Sequence, residues 1–112
     1  MMGANKMVSD IREILKKLDI TDKRGRYDNH FYVISLDNSD EYARMYTKLD
    51  KNAVNTEYPE FEKNTNDTTT KVTNYFELEL NNYTYDIYLM ADFAEDSYYI
   101  KISERPEDDL RL

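Results

Sequence analysis

The chain has no cysteine and no tryptophan, and its 112 residues include one histidine, two glycines and two prolines. Without cysteine there are no disulfide staples, no thiol nucleophile and no thiolate metal site, and the compatible compartment is a reducing cytoplasm. A single histidine, His30, excludes a multi-histidine metal centre. Beside Asn29 and Phe31 at the start of an aromatic stretch, it reads as a packing or surface residue. The glycines are isolated, so no glycine-rich loop cradles a phosphate, and no serine stands in a nucleophile-elbow context. No apolar run approaches the length needed to cross a bilayer, and the start lacks the charged-then-apolar pattern of a secretory signal. Neither a membrane partner nor a cofactor is implied.

What the chain does have is acid. Fifteen Lys and Arg face 23 Asp and Glu, a net charge of −8. Through Arg26 the balance is +3, seven cations against four anions; from Tyr27 onward it is −11, eight against nineteen. Such asymmetry points to an electrostatic partner more than to an active site, and to a cationic one, since direct contact with nucleic-acid phosphates requires cations. The length and the 40% hydrophobic content suit a single domain over residues 1–112 with one modest core. Residues 1–6 read as a leader, with Met7 a candidate natural start, and 105–112 as an acidic tail.

The apolar spacing predicts the elements. Val8, Ile11, Ile14, Leu15 and Leu18 share one helical face, with Ser9 as the N-cap. Asp19 to Asn29 reads as a loop and His30 to Leu36 as a strand. Asn38, followed by Glu41 in a capping-box relation, opens a second helix whose buried stripe is Tyr42, Met45, Tyr46 and Leu49. Ala53 to Phe61 suits an edge segment interrupted at Pro59, and Lys63 to Thr70 a loop or wide hairpin turn. Thr73–Leu80 and Tyr83–Leu89 form a hairpin through an Asn81-Asn82 turn, which pairs Leu80 with Tyr83, Leu78 with Tyr85 and Phe76 with Ile87. A further four-residue connection, Ala94 to Ser97, pairs Phe93 with Tyr98, Ala91 with Ile100 and Leu89 with Ile102. The fold class expected is α+β, with two helices packed on one face of an antiparallel sheet of four to five strands that ends in a three-stranded meander.

Carboxylates are the plentiful reactive group. Glu77 and Glu79 project from one strand face about 7 Å apart, from two residues at ~3.4 Å rise, a separation that overlaps the window of an inverting glycosidase pair. A flat sheet face in so small a domain offers no cleft to desolvate an acid, so no catalytic role is assigned. Asp92, Glu95 and Asp96 lie together in a turn but lack the glycine-centred twelve-residue pattern of a calcium loop, and no metal site is assigned. Asp86 falls opposite Glu77, a like-charge pair that weakens a strand ribbon unless the field serves a purpose. Tyr83, Tyr85 and Tyr98 belong to the core face. Tyr75, Tyr88 and Tyr99 point to the other face among the acids, where a partner's arginine can stack on the rings and pair with the carboxylates.

A short, acidic, cysteine-free chain rich in Asp, Glu, Tyr and Asn, with carboxylates repeating near the spacing of successive phosphates, resembles the small phage-encoded inhibitors of bacterial nucleic-acid enzymes. These are the anti-CRISPR proteins directed at Cas nucleases and the anti-restriction DNA mimics. The resemblance implies an inhibitor that occupies the basic groove of a nuclease or Cas effector in the host bacterial cytoplasm, without catalysis and without direct DNA binding, as a monomer or small homo-oligomer. The partner-binding residues expected from the chain itself are Glu77, Glu79, Asp86, Asp92, Glu95 and Asp96, with Tyr75, Tyr88 and Tyr99. The cationic stretch Lys23-Arg24-Gly25-Arg26 departs from a uniformly acidic mimic. An immunity protein that neutralises a cognate basic toxin is the alternative, followed by a small enzyme built on Glu77 and Glu79 and a regulatory domain with a plain polar surface.

Overall fold

The computed structural model describes the backbone of residues 2–104 and the side chains of residues 10–104. Two helices, α1 (Met2–Leu18) and α2 (Ser39–Asn52), accompany seven strands: β1 (Arg26–Asp28), β2 (Phe31–Leu36), β3 (Asn55–Thr56), β4 (Glu60–Lys63), β5 (Thr69–Leu80), β6 (Tyr83–Asp92) and β7 (Ser97–Glu104). They form one antiparallel sheet in the order β1-β2-β7-β6-β5-β3, with β4 sharing the β5 edge beside β3. The α+β class and the closing meander β5-β6-β7 are as expected. The strand count is higher, because β1, β3 and β4 are two to four residues long and too polar to show a strand period.

Both helices lie on one face. Ile11, Ile14, Leu15 and Leu18 of α1 join Met45 and Leu49 of α2 over Ile34, Leu36, Phe76, Leu78, Tyr85, Ile87, Leu89, Ile100 and Ile102. Helix α1 continues back through Met2, so Ser9 lies inside it and does not cap it. Its C-terminal end is a Schellman turn: Ile20 N–H donates to the Leu15 carbonyl and Asp19 N–H to that of Lys16, with Asp19 in the left-handed region at φ 58°. Buried Ile20 rests with Leu15 in the core.

Asn38 does cap α2, its Oδ1 accepting from Glu41 N–H at 2.9 Å. Glu41 departs from the capping-box expectation. Its carboxylate accepts from Asp37 N–H at 2.7 Å and meets Lys23 Nζ at 3.1 Å. Lys23 also reaches Asp37 at 2.8 Å, and that hydrogen bond is the main reason its pKa is raised above the ordinary lysine value. Of the stripe expected on α2, Met45 and Leu49 are buried and Tyr42 is half-buried, whereas Tyr46 is 41% exposed and leans edge-on against Phe76, ring centroids 5.5 Å apart.

One buried polar contact ties α1 to the sheet. Asp10, 1% exposed, accepts from Tyr85 Oη at 2.5 Å and from Asn81 Nδ2 at 2.8 Å. Tyr85 is wholly buried, and desolvation, reinforced by the Asp10 hydrogen bond, pushes its phenol pKa well above the ordinary value. A carboxylate removed from water requires such donors.

The β5–β6 hairpin has the expected register, and Asn81 and Asn82 sit at φ 54° and 70°, as a type I′ turn demands. The β6–β7 hairpin does not. The loop is Phe93 to Asp96, so Ala91 pairs with Tyr98, Leu89 with Ile100 and Ile87 with Ile102, two residues from the expected alignment. A slip of two keeps every side chain on its face, which is why Ile100 and Ile102 are still buried. Phe93, expected opposite Tyr98, enters the loop and is 50% exposed.

Candidate functional site: the helix-free sheet face

Period-two alternation gives the sheet a second face that, among the described residues, no helix covers. Its cross-strand rows follow from the registers. Glu77 pairs with Asp86, and Asp86 with Ser103; Tyr75 pairs with Tyr88, and Tyr88 with Lys101; Met90 pairs with Tyr99; Lys71 pairs with Asp92. Of the nine residues expected to bind a partner, Tyr75, Glu77, Glu79, Asp86, Tyr88, Asp92 and Tyr99 lie on this face. Glu95 and Asp96 project from the β6–β7 loop at its end and are exposed.

The acids separate into two groups. Glu77, Glu79 and Asp86 cluster near the β5–β6 turn. Asp92, Glu95 and Asp96 lie around the opposite end of β6, roughly 20 Å away from six residues at ~3.4 Å rise. Asp92 also meets Lys71 at 3.8 Å and accepts from Glu95 N–H at 3.1 Å. The repeat of carboxylates at the spacing of successive phosphates is therefore confined to the Glu77, Glu79 and Asp86 group. Glu79 looks across to Thr84 and borders a notch of about 50 Å³ with Lys17 and Asn52.

Between the acid groups runs an aromatic belt that the sequence showed only as scattered tyrosines. The rings of Tyr75 and Tyr88 lie 5.4 Å apart, and Phe31 meets Tyr88 edge-on at 6.2 Å. Lys101 Nζ stands 5.4 Å from the Phe31 ring centre and 6.0 Å from that of Tyr99. Phe31 and Lys101 were not among the expected residues. The signal was present, since Lys101 is the one cation in the alternation of β7, but its neighbours come from β2 and β6, whose adjacency only the topology supplies.

Glu77 and Asp86 are directly opposed, as expected, and share a donor. Tyr75 Oη donates to Asp86 Oδ1 at 2.5 Å and stands 3.5 Å from Glu77 Oε1. A charge-assisted bond of this kind is worth about 1.5–3 kcal/mol, enough to offset the cost of opposing two carboxylates on neighbouring strands. Tyrosine at that position is thus structural and, with its half-buried ring, also part of the surface presented.

Surface depressions elsewhere on the described residues are small and open. One of about 140 Å³ lies against Arg24, Gly25, Arg26, Val33 and Ser35, and one of about 290 Å³ against Arg12, Leu15, Lys16 and Thr21. Neither brings Glu77 and Glu79 into an enclosed site. Among the described residues no three His, Asp or Glu side chains converge as metal ligands, and no helix is long and apolar enough to cross a membrane. His30 sits exposed in the β1–β2 turn.

Comparison with protein-family models, with curated proteins and with solved structures finds no match to this chain.

Proposed function

We propose that this protein is an inhibitor that docks its helix-free sheet face into the basic groove of a bacterial nucleic-acid enzyme, such as a Cas effector nuclease, and excludes the nucleic acid. The observation that carries the reading is the juxtaposition of half-buried Tyr75 and Tyr88 with the opposed carboxylates of Glu77 and Asp86. A planar guanidinium from the partner can lie on those rings while its N–H fork meets the carboxylates, and both contacts strengthen when water leaves. Tyrosines give buried area at low entropic cost, and the acids give steering and orientation. Binding alone inhibits; no catalytic step or cofactor takes part.

Acids at two ends of an aromatic belt suit a protein surface better than a uniform phosphate array, so polyanion mimicry is confined to the Glu77, Glu79 and Asp86 end. A toxin-neutralising immunity protein would use the same surface, and the identity of the captured partner separates the two readings. Capture from a bacterial lysate with wild-type protein, alongside a Glu77→Lys, Asp86→Lys variant, tests the proposal. Basic nucleic-acid-binding proteins retained by the wild type should be lost with the variant and in high salt. Retention unchanged by the double substitution would overturn it.

A further inference from the structure

We infer that two copies of this chain associate through their β1 edges, Tyr27 meeting Tyr27 across a two-fold axis perpendicular to the sheet. The inference is independent of the proposed target. Strand β1 ends the sheet, so its outer row of backbone N–H and C=O groups is a template for another strand. All three of its residues are exposed, and Tyr27 is 54% exposed although its ring packs 4.9 Å from that of Tyr32.

The sequence of β1 is complementary to itself. In an antiparallel pair centred on Tyr27, Arg26 of each copy lies opposite Asp28 of the other, and both pairs fall on the helix-free face. Neither Arg26 nor Asp28 has an ion-pair partner within the chain among the described residues. The other end of the sheet cannot do the same. Pairing β4 with β4 around Phe61 would set Glu60 against Glu62 twice. Strand β1 itself, Arg26-Tyr27-Asp28, carries no net charge in a chain of net charge −8, so two copies can meet there without the like-charge repulsion of the acidic strands. A two-fold contact of this type is isologous and closes at the dimer. It also leaves both helix-free faces on one side, a bivalent docking surface.

The absence of cysteine makes the test direct. Antiparallel partners lie about 4.5–5.5 Å apart at Cα, within disulfide range. Tyr27→Cys should therefore form a disulfide-linked dimer under mild oxidation, with Phe61→Cys on the opposite edge as the control that stays monomeric. In sedimentation at moderate salt, Arg26→Asp should weaken association about tenfold or more, and Arg26→Asp with Asp28→Arg should restore it. Rescue by the swap separates edge pairing from misfolding. A Tyr27→Cys chain that stays monomeric, or association blind to both charge variants, would overturn the inference. A disulfide formed only when Tyr27→Cys and Phe61→Cys chains are mixed would equally overturn it, in favour of a head-to-tail contact of β1 with β4.

Discussion

Removing the Tyr85 hydroxyl should cost more than any other single-atom deletion in the core. Tyr85→Phe leaves the ring in place but takes a donor from buried Asp10, with Asn81 remaining. Loss of a hydrogen bond to a buried charged group costs about 2–3 kcal/mol. Unfolding entropy of about 2.1 cal/mol/K per residue over 112 residues gives about 0.24 kcal/mol/K, so the melting temperature should fall by about 8–13 °C. Thermal unfolding followed by circular dichroism reads the shift, and a double-mutant cycle with Asp10→Asn isolates the pair, with a coupling of about 1 kcal/mol or more expected. A fall of less than about 2 °C, or additive single effects, would refute the view that this contact fastens α1 to the sheet.

Other outcomes follow from the same structure. Asp19→Gly, at the left-handed cap of α1, should stabilise the protein by about 0.5–1 kcal/mol, since its contact with Lys48 at 3.7 Å is exposed and worth little; chemical denaturation measures it. Gly25→Ala should destabilise by about 1–3 kcal/mol, because a Cβ there would come within 2.6 Å of the Tyr32 ring and 2.7 Å of the Val33 carbonyl oxygen. Stability should fall at alkaline pH. The pKa values of Lys23, Tyr27, Tyr42 and Tyr85 are all raised in the folded state, so the unfolded chain releases these protons first. Their contribution is whole below about pH 10 and is lost as pH climbs through the folded values; denaturation at pH 9 and pH 11 tests the sign. Glu77→Lys replaces a like-charge cross-strand pair with an opposite one, so it should leave stability unchanged or raise it by about 0.5 kcal/mol while weakening partner binding, a divergence that melting and binding assays together reveal.

How much of this was legible in the residues depended on whether a signal was local. The β5–β6 register followed from two adjacent asparagines and a clean alternation, and the same alternation put Tyr75, Glu77, Asp86 and Tyr88 together on one face. The β6–β7 loop lies one residue earlier than expected, which moves the register by two, because Phe93 continues the apolar phase of its strand. What ends pairing there is the loop itself, with Asp92 accepting from Glu95 N–H and Asp96 at φ 51°. Strand β1 was hidden because three exposed residues pair only when β2 is beside them. Three features were out of reach: the Asp10–Tyr85 bond spans 75 residues of chain, Glu41 draws on Lys23 across two elements, and the belt of Phe31, Tyr88 and Lys101 unites strands that the sequence separates. The division of the acids into two groups follows from strand length, which sets Asp86 and Asp92 near opposite ends of β6.

The most direct test of the docking face is to titrate a captured basic nuclease with wild-type protein and with a Glu77→Lys, Asp86→Lys, Tyr88→Ala variant that melts as a folded domain, measuring affinity and nucleic-acid displacement together. The account predicts displacement by the wild type and a loss of at least about a hundredfold in affinity for the variant, from roughly 3 kcal/mol of contacts removed. Equal affinity of the two proteins, or binding that leaves the nucleic acid in place, would contradict it.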